Sequence, residues 1–154
     1  MFFKRIAPYL ELLALIGSAL TVGTAYYLLF IEYPAWIALD ITTTITAFRE
    51  LILRVGLSQG IVSTVSVVAA IILFFPSRNY WWLIAAGLLL LSLPITALWL
   101  MPINLHFLDE ALVIDAPENS ELLRQWGNYQ VIRVITDLLA FIIMCKIVIW
   151  RKAE

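Results

Sequence analysis

The chain has 154 residues, of which 63% are hydrophobic and 14% charged, with a formal charge of −1 and a mean hydropathy of +0.96. Soluble domains average about 45–50% apolar and about 25% charged, and small domains bury only about two-thirds of the surface of the unfolded chain, so a soluble fold is excluded and lipid is the solvent. A single cysteine excludes an internal disulfide and a CxxC redox pair, a single histidine excludes a bis-histidine haem within one chain, and the near-neutral charge argues against nucleic acid as a partner.

A membrane span needs about 20 mostly apolar residues. In chain order the first candidate is 10–31, whose apolar core Leu12 to Ile31 lies between Glu11 and Glu32. Residues 32–54 follow, where Ile41, Ile45, Phe48 and Ile52 recur on one helical face and Glu50 precedes Arg54 by four. This predicts an amphipathic helix lying on the outer leaflet, although Thr42-Thr43-Thr44 beside Ile41 and Ile45 also suits a strand. The second span is 55–75, ending at Pro76, and the third is 80–101, with Pro94 and Thr96 predicting a kink. The segment Asp115-Ala116-Pro117-Glu118 reads as a helix start. The fourth span, 131–150, contains Arg133, Asp137 and Lys146 and is the least apolar. The predicted fold is an all-α membrane protein in one domain, a bundle of four transmembrane helices with an outer interfacial amphipathic helix.

Basic residues in short loops set orientation. Lys4, Arg5, Arg78, Arg151 and Lys152 fall on one side, while Glu32, Asp40, Glu50, Asp109, Glu110, Asp115, Glu118 and Glu121 fall on the other. Both termini are therefore expected in the cytoplasm of a bacterial inner membrane. Tyr80, Trp81, Trp82 and Trp150 fit an aromatic belt at the inner interface, with Trp36 and Trp99 at the outer one. Small residues at four-residue spacing permit close helix approach in lipid. Gly56 and Gly60 in the second span, and Ala14, Ser18, Thr21 and Ala25 beside Gly17 in the first, are the candidates.

The densest polar constellation is Trp126, Gln130, Arg133 and Asp137, spaced by 4, 3 and 4 on one face of the fourth helix. A charge near mid-membrane costs about 2.5–3.5 kcal/mol even on insertion scales, so such groups face protein or a water cavity. Arg133 and Asp137 are one turn apart and can neutralise each other. Either the pair merely lets a long helix dock, or it belongs to a polar pocket opening outward, with Arg133 holding an anion. Glu11 reads as a snorkelling or paired carboxylate, or as a transport carboxylate. His106 is a candidate base near Asp109 and Glu110, but one imidazole is too few for a recognisable metal site. Cys145 reads as an inert core thiol.

Two stretches resemble the anthrone oxygenase-like family of small four-span membrane proteins. Leu93-Pro94-Ile95-Thr96 followed by Met101-Pro102-Ile103-Asn104 is similar to one signature, and Leu122-Leu123-Arg124-Gln125-Trp126 followed by Arg133 is similar to the other. The resemblance implies Asn104, Trp126 and Arg133 as characteristic positions, with Gln130 where many members carry histidine or asparagine. It further implies oxidation of an anthrone to an anthraquinone without metal or flavin, so no cofactor is expected. In that chemistry Arg133 would hold the oxyanion, Trp126 and Trp99 would stack on the substrate, Asn104 would orient it, and Asp137 or His106 would be the base. The partners expected are the lipid bilayer and a small hydrophobic aromatic or quinone-like ligand, with a homo-oligomer or a partner subunit also open. The alternatives are a non-catalytic membrane subunit or assembly factor working through Gly56, Gly60 and the polar face, and a small proton-coupled transporter using Glu11 and Asp137.

Overall fold

The computed structural model describes residues 2–151; Lys152, used above for orientation, lies outside the described residues. The described chain is helical apart from short connections: α1 (Phe2–Tyr27), α2 (Tyr33–Ala38), α3 (Ile41–Ser77), α4 (Trp81–Ile95), α5 (Met101–Leu108) and α6 (Glu118–Arg151). Wider π-turns at Leu28–Glu32 and Thr96–Leu100 join α1 to α2 and α4 to α5. Both have one cause. Pro34 and Pro102 each sit in the first turn of the new helix, and a proline ring clashes with the carbonyl four residues back. Widening the turn, with Tyr33 N–H donating to Leu28 O and Met101 N–H to Thr96 O, carries the chain past the proline without breaking it. The distortion predicted at Pro94 and Thr96 is therefore centred on the turn that begins at Thr96.

Three helical stretches are long and apolar enough to cross a membrane: Arg5–Ala38, Ile41–Ser77 and Trp81–Leu108. The fourth long helix, α6, starts just after Pro117 as predicted; it carries Arg133, Asp137 and Lys146 and is not one of these three stretches. The separate interfacial helix at 32–54 is not found. Residues 41–77 instead form one helix of 37 residues, about 55 Å long against a hydrocarbon core of about 30 Å. The reason is a partner for its apolar face: Ile45, Phe48 and Ile52 are buried against residues of α2, α5 and α6. Asp40 starts it, accepting from Thr43 N at 2.9 Å and from Thr43 Oγ1 at 2.7 Å. The predicted Glu50–Arg54 pair forms at 3.6 Å on the exposed side.

The core has two layers. Nearer the chain termini, Ala14, Ala69, Ala70, Ala85, Ala86 and Ala140 bring α1, α3, α4 and α6 together around Trp82 and Met144. Nearer the 109–117 loop, Trp36, Phe48, Phe107 and Trp126 form an aromatic layer with ring centroids 5.3–5.6 Å apart. Trp36 and Trp82 are thus core residues, 2% exposed, and not belt residues, whereas Tyr80, Trp81 and Trp150 are exposed. Arg49 ties α5 to α3, donating from Nε to Phe107 O at 2.6 Å and from Nη2 to Asp109 O at 2.5 Å. Asn119 holds the loop, donating to Val113 O and Ile114 O. Asp115 accepts from Thr42 Oγ1 across the loop, so its side chain joins α3 to the start of α6.

Two carboxylates at this end are held below their usual range. Bonds from Thr43 lower Asp40, and side-chain bonds from Arg124 and Gln125 bring Glu121 from the ordinary 4.5 to about 2. A depressed folded-state value adds stability that is complete above the unfolded value and is lost as pH falls through the folded one. Acid titration is therefore expected to loosen the start of α6 between about pH 4.5 and 2, and the start of α3 once pH falls below the ordinary 3.8 of Asp40. Glu121→Gln should flatten that response in an amide-exchange titration of residues 118–125; an unchanged profile would count against the pairing.

Candidate functional site

A cavity of about 460 Å³ lies beneath the aromatic layer, walled by α3 on one side and α4, the π-turn and α5 on the other, with α6 behind. It is bordered by Asn104, Trp126, Gln130 and Arg133, together with Gln59, Gly56, Gly60 and Ser92. Most other lining residues are leucines. Volume and lining fit a small-molecule site, mostly apolar with a few placed polar groups.

Each polar group has a defined state. Trp126 Nε1 donates to Asn104 Oδ1 at 2.9 Å, which fixes the Asn104 amide between α5 and α6. The Trp126 indole is 1% exposed and sits at 5.6 Å centroid distance from Trp36 and from Phe48, so it forms the roof of the cavity through its edge. Gly127 allows this packing: a Cβ there would lie 2.4 Å from the Tyr33 ring. Gln130 is 0% exposed and both of its amide atoms lack a hydrogen-bond partner. Arg133 Nε is buried without a partner, and the guanidinium makes no hydrogen bond or ion pair among the described residues. Gln59 donates through Nε2 to Thr21 O at 3.0 Å, and its Oε1 is unpartnered. Buried polar atoms without partners are uncommon in folded proteins, and a ligand or ordered water accounts for them.

Asp137 is fully buried, and its Oδ1 accepts from Ser92 Oγ at 2.5 Å while Oδ2 has no partner. The expected ion pair with Arg133 is absent: among the described residues the ion pairs are Arg54–Glu50 and Arg124–Glu121. Residues four apart on a helix are offset by about 40°, and here Arg133 turns into the cavity while Asp137 turns to α4. Among the described residues the carboxylate's hydrogen bond to the cavity lining is the one from Ser92.

Two candidate residues lie elsewhere. His106 Nε2 is bonded to Asn119 Oδ1 at 2.9 Å, within the loop-end cap and not in the cavity lining. Trp99 is 43% exposed and stacks on Tyr129 at 5.6 Å and 12°, also outside the lining. Glu11 is buried in α1, 6% exposed. No group of three or more His, Cys, Asp or Glu side chains converges on a metal-sized site among the described residues.

The two glycine sets divide differently from expectation. Gly17 makes the close crossing: a Cβ there would lie 2.8 Å from Ser66 Cβ and from Val62 O of α3, and Ser66 Oγ donates to Ala14 O at 2.7 Å. Gly56 and Gly60 have nothing within 4 Å and leave the side of the cavity uncovered. Gln59, which the sequence reading passed over, had a visible signal as an amide in an otherwise apolar span. Ser92 had none, because serines commonly bond their own helix backbone.

The anthrone oxygenase family model matches residues 48–143, a stretch that contains every cavity-lining polar residue named above. No curated protein and no solved structure matches the chain. The match covers more than half of the 154 residues, and the chain belongs to the anthrone oxygenase family.

Proposed function

We propose that this protein is a four-span protein of a bacterial inner membrane, with both termini cytoplasmic, that binds a flat hydrophobic aromatic molecule in the cavity and oxidises it. The fourth span is supported by the outward face of α6, where Ile132, Ile135, Leu139 and Ile142 are 45–52% exposed, as suits contact with lipid. The observation that carries the function is the cavity itself: apolar walls around Gln130 and Arg133, whose buried polar atoms have no partner.

The chemistry follows from these groups. An anthrone loses a proton from its methylene carbon to give an electron-rich enolate. That carbon bonds to dioxygen and gives a hydroperoxide after protonation. Loss of the remaining C–H proton with cleavage of the O–O bond leaves the second carbonyl and releases water, so anthrone and dioxygen give anthraquinone and water. Arg133 stabilises the enolate oxygen, where negative charge develops in a dry site. Asn104 and Gln130 orient the rings. Asp137 takes the first proton through Ser92, the only described link between that carboxylate and the cavity lining.

The test is turnover in lipid nanodiscs. Anthrone under oxygen-18 gas should yield anthraquinone carrying one labelled oxygen, faster than in empty nanodiscs. Ser92→Ala should slow it about 10²-fold or more, on the scale of general-base contributions. No acceleration over lipid alone refutes the reading, and a haem or flavin absorption band in the purified protein refutes its cofactor-free form. The alternative, a subunit joined through Gly56 and Gly60, whose Cβ positions meet nothing within 4 Å in the single chain, predicts a co-purifying partner or second copy and loss of assembly in Gly60→Leu.

A further inference from the structure

The cavity is roofed but open on one side. Above it, Trp36, Phe48, Phe107 and Trp126 interlock, and Arg49 clamps α5 over the same layer. All four of those rings are buried, 2% exposed or less, so aromatic side chains close the cavity on the side of the 109–117 loop. At the side, cavity-lining residues are themselves strongly exposed: Leu53 63%, Leu57 70%, Leu93 62% and Leu105 60%. Gly56 and Gly60 share that face of α3 with Leu53 and Leu57, and a Cβ added at either would meet nothing within 4 Å. Leu57 and Leu93 lie in the apolar stretches Ile41–Ser77 and Trp81–Leu108. In a bilayer crossed by these stretches the open side would face hydrocarbon.

The polar groups inside specify what enters. The Gln59 amide is fixed by its bond to Thr21 O, so its free Oε1 can only accept, and it requires a donor from the ligand. Arg133 can only donate, and it requires an acceptor. Gln130 offers both.

Resting on the reading that the cavity binds a ligand, we propose that this ligand comes sideways out of the bilayer, between α3 and the α4–α5 limb beside Gly60, and that it is a lipophile carrying a hydroxyl for Gln59 and an oxygen acceptor for Arg133. A mouth open to lipid tolerates a long alkyl tail on the ligand, which stays in the hydrocarbon. A mouth open to water would not.

The experiment uses the full chain in nanodiscs and follows tryptophan quenching by three probes: 2-hydroxyanthraquinone, the same molecule with a hexadecyl chain on its far ring, and unsubstituted anthraquinone. The tailed probe should bind within about threefold of the untailed one at equal mole fraction in lipid. Gly60→Leu should slow association of both at least tenfold while helix content is kept and Tm is unchanged or raised, because the added side chain meets open space and leucine favours the helix over glycine. Wild-type protein should prefer 2-hydroxyanthraquinone to anthraquinone, and Gln59→Leu should erase the preference. Loss of binding by the tailed probe alone, or unaltered association in Gly60→Leu, overturns the lateral route and leaves the cavity reading standing. Failure of every probe to bind wild-type protein overturns both. Native mass spectrometry showing a phospholipid that the probes cannot displace assigns the mouth to a structural lipid and also overturns the proposal.

Discussion

Arg133→Leu is expected to lower kcat/KM for anthrone oxidation by about 10²–10³, the range seen when one donor to a developing oxyanion is removed, about 2.7–4 kcal/mol. The same change is expected to leave Tm unchanged or to raise it. A cation in the hydrocarbon region is costly by about 2.5–3.5 kcal/mol on insertion scales, and Arg133 offsets it only through the longer-range attraction of Asp137, since its Nε has no partner and it forms no ion pair among the described residues. Leucine removes that cost and still fills the wall of an apolar cavity. Activity and stability should therefore move in opposite directions, the pattern of a site kept for function at the expense of stability. Arg133→Lys should recover part of the rate, because a point charge replaces the charge without the planar fork. Parallel loss of rate and Tm would make Arg133 a structural residue and refute its assigned role.

Gly17→Ala is expected to destabilise the bundle by about 1–3 kcal/mol, the cost of overpacking a tight interior, and Gly17→Leu to prevent its assembly. The added Cβ would sit 2.8 Å from Ser66 Cβ and from the Val62 carbonyl oxygen. Neither can yield easily, because Ser66 Oγ is bonded to Ala14 O and the carbonyl belongs to α3 itself. Separating the helices would also strain the Gln59–Thr21 bond one turn further along. Gly56→Ala gives the opposite sign. With nothing within 4 Å of its Cβ position, it should gain up to about 1 kcal/mol from helix propensity alone. Unfolding in mixed detergent, read by circular dichroism, separates the two. Equal effects at Gly17 and Gly56 would show that the crossing is not where the structure places it.

That contrast shows how far the sequence reaches. Both glycine sets have the spacing of a close-packing stripe, and spacing states only that small residues share a face. It does not state whether a neighbour occupies that face. The same limit applies to 41–52: Ile41, Ile45, Phe48 and Ile52 define an apolar side, and lipid or Trp36 and Phe107 would satisfy it equally well. Similarly, Arg133 and Asp137 are one turn apart in any helix, but Ser92 on α4 decides where the carboxylate goes.

Composition by itself determined the solvent, because 63% hydrophobic residues cannot be hidden in a chain of 154. Apolar run length marked the long helices, and local spacing marked the start of α6 after Pro117 and the face that carries Trp126, Gln130 and Arg133, but neither showed that 41–77 is one helix. Short motifs determined the family. Only the tertiary structure decided that this face opens on a cavity, that Gln59 and Ser92 join it, and that His106 and Trp99 stand apart from it. The physical reason is that periodicity fixes the direction of a side chain relative to its own helix axis, whereas a site depends on what other helices bring, or fail to bring, to the same space.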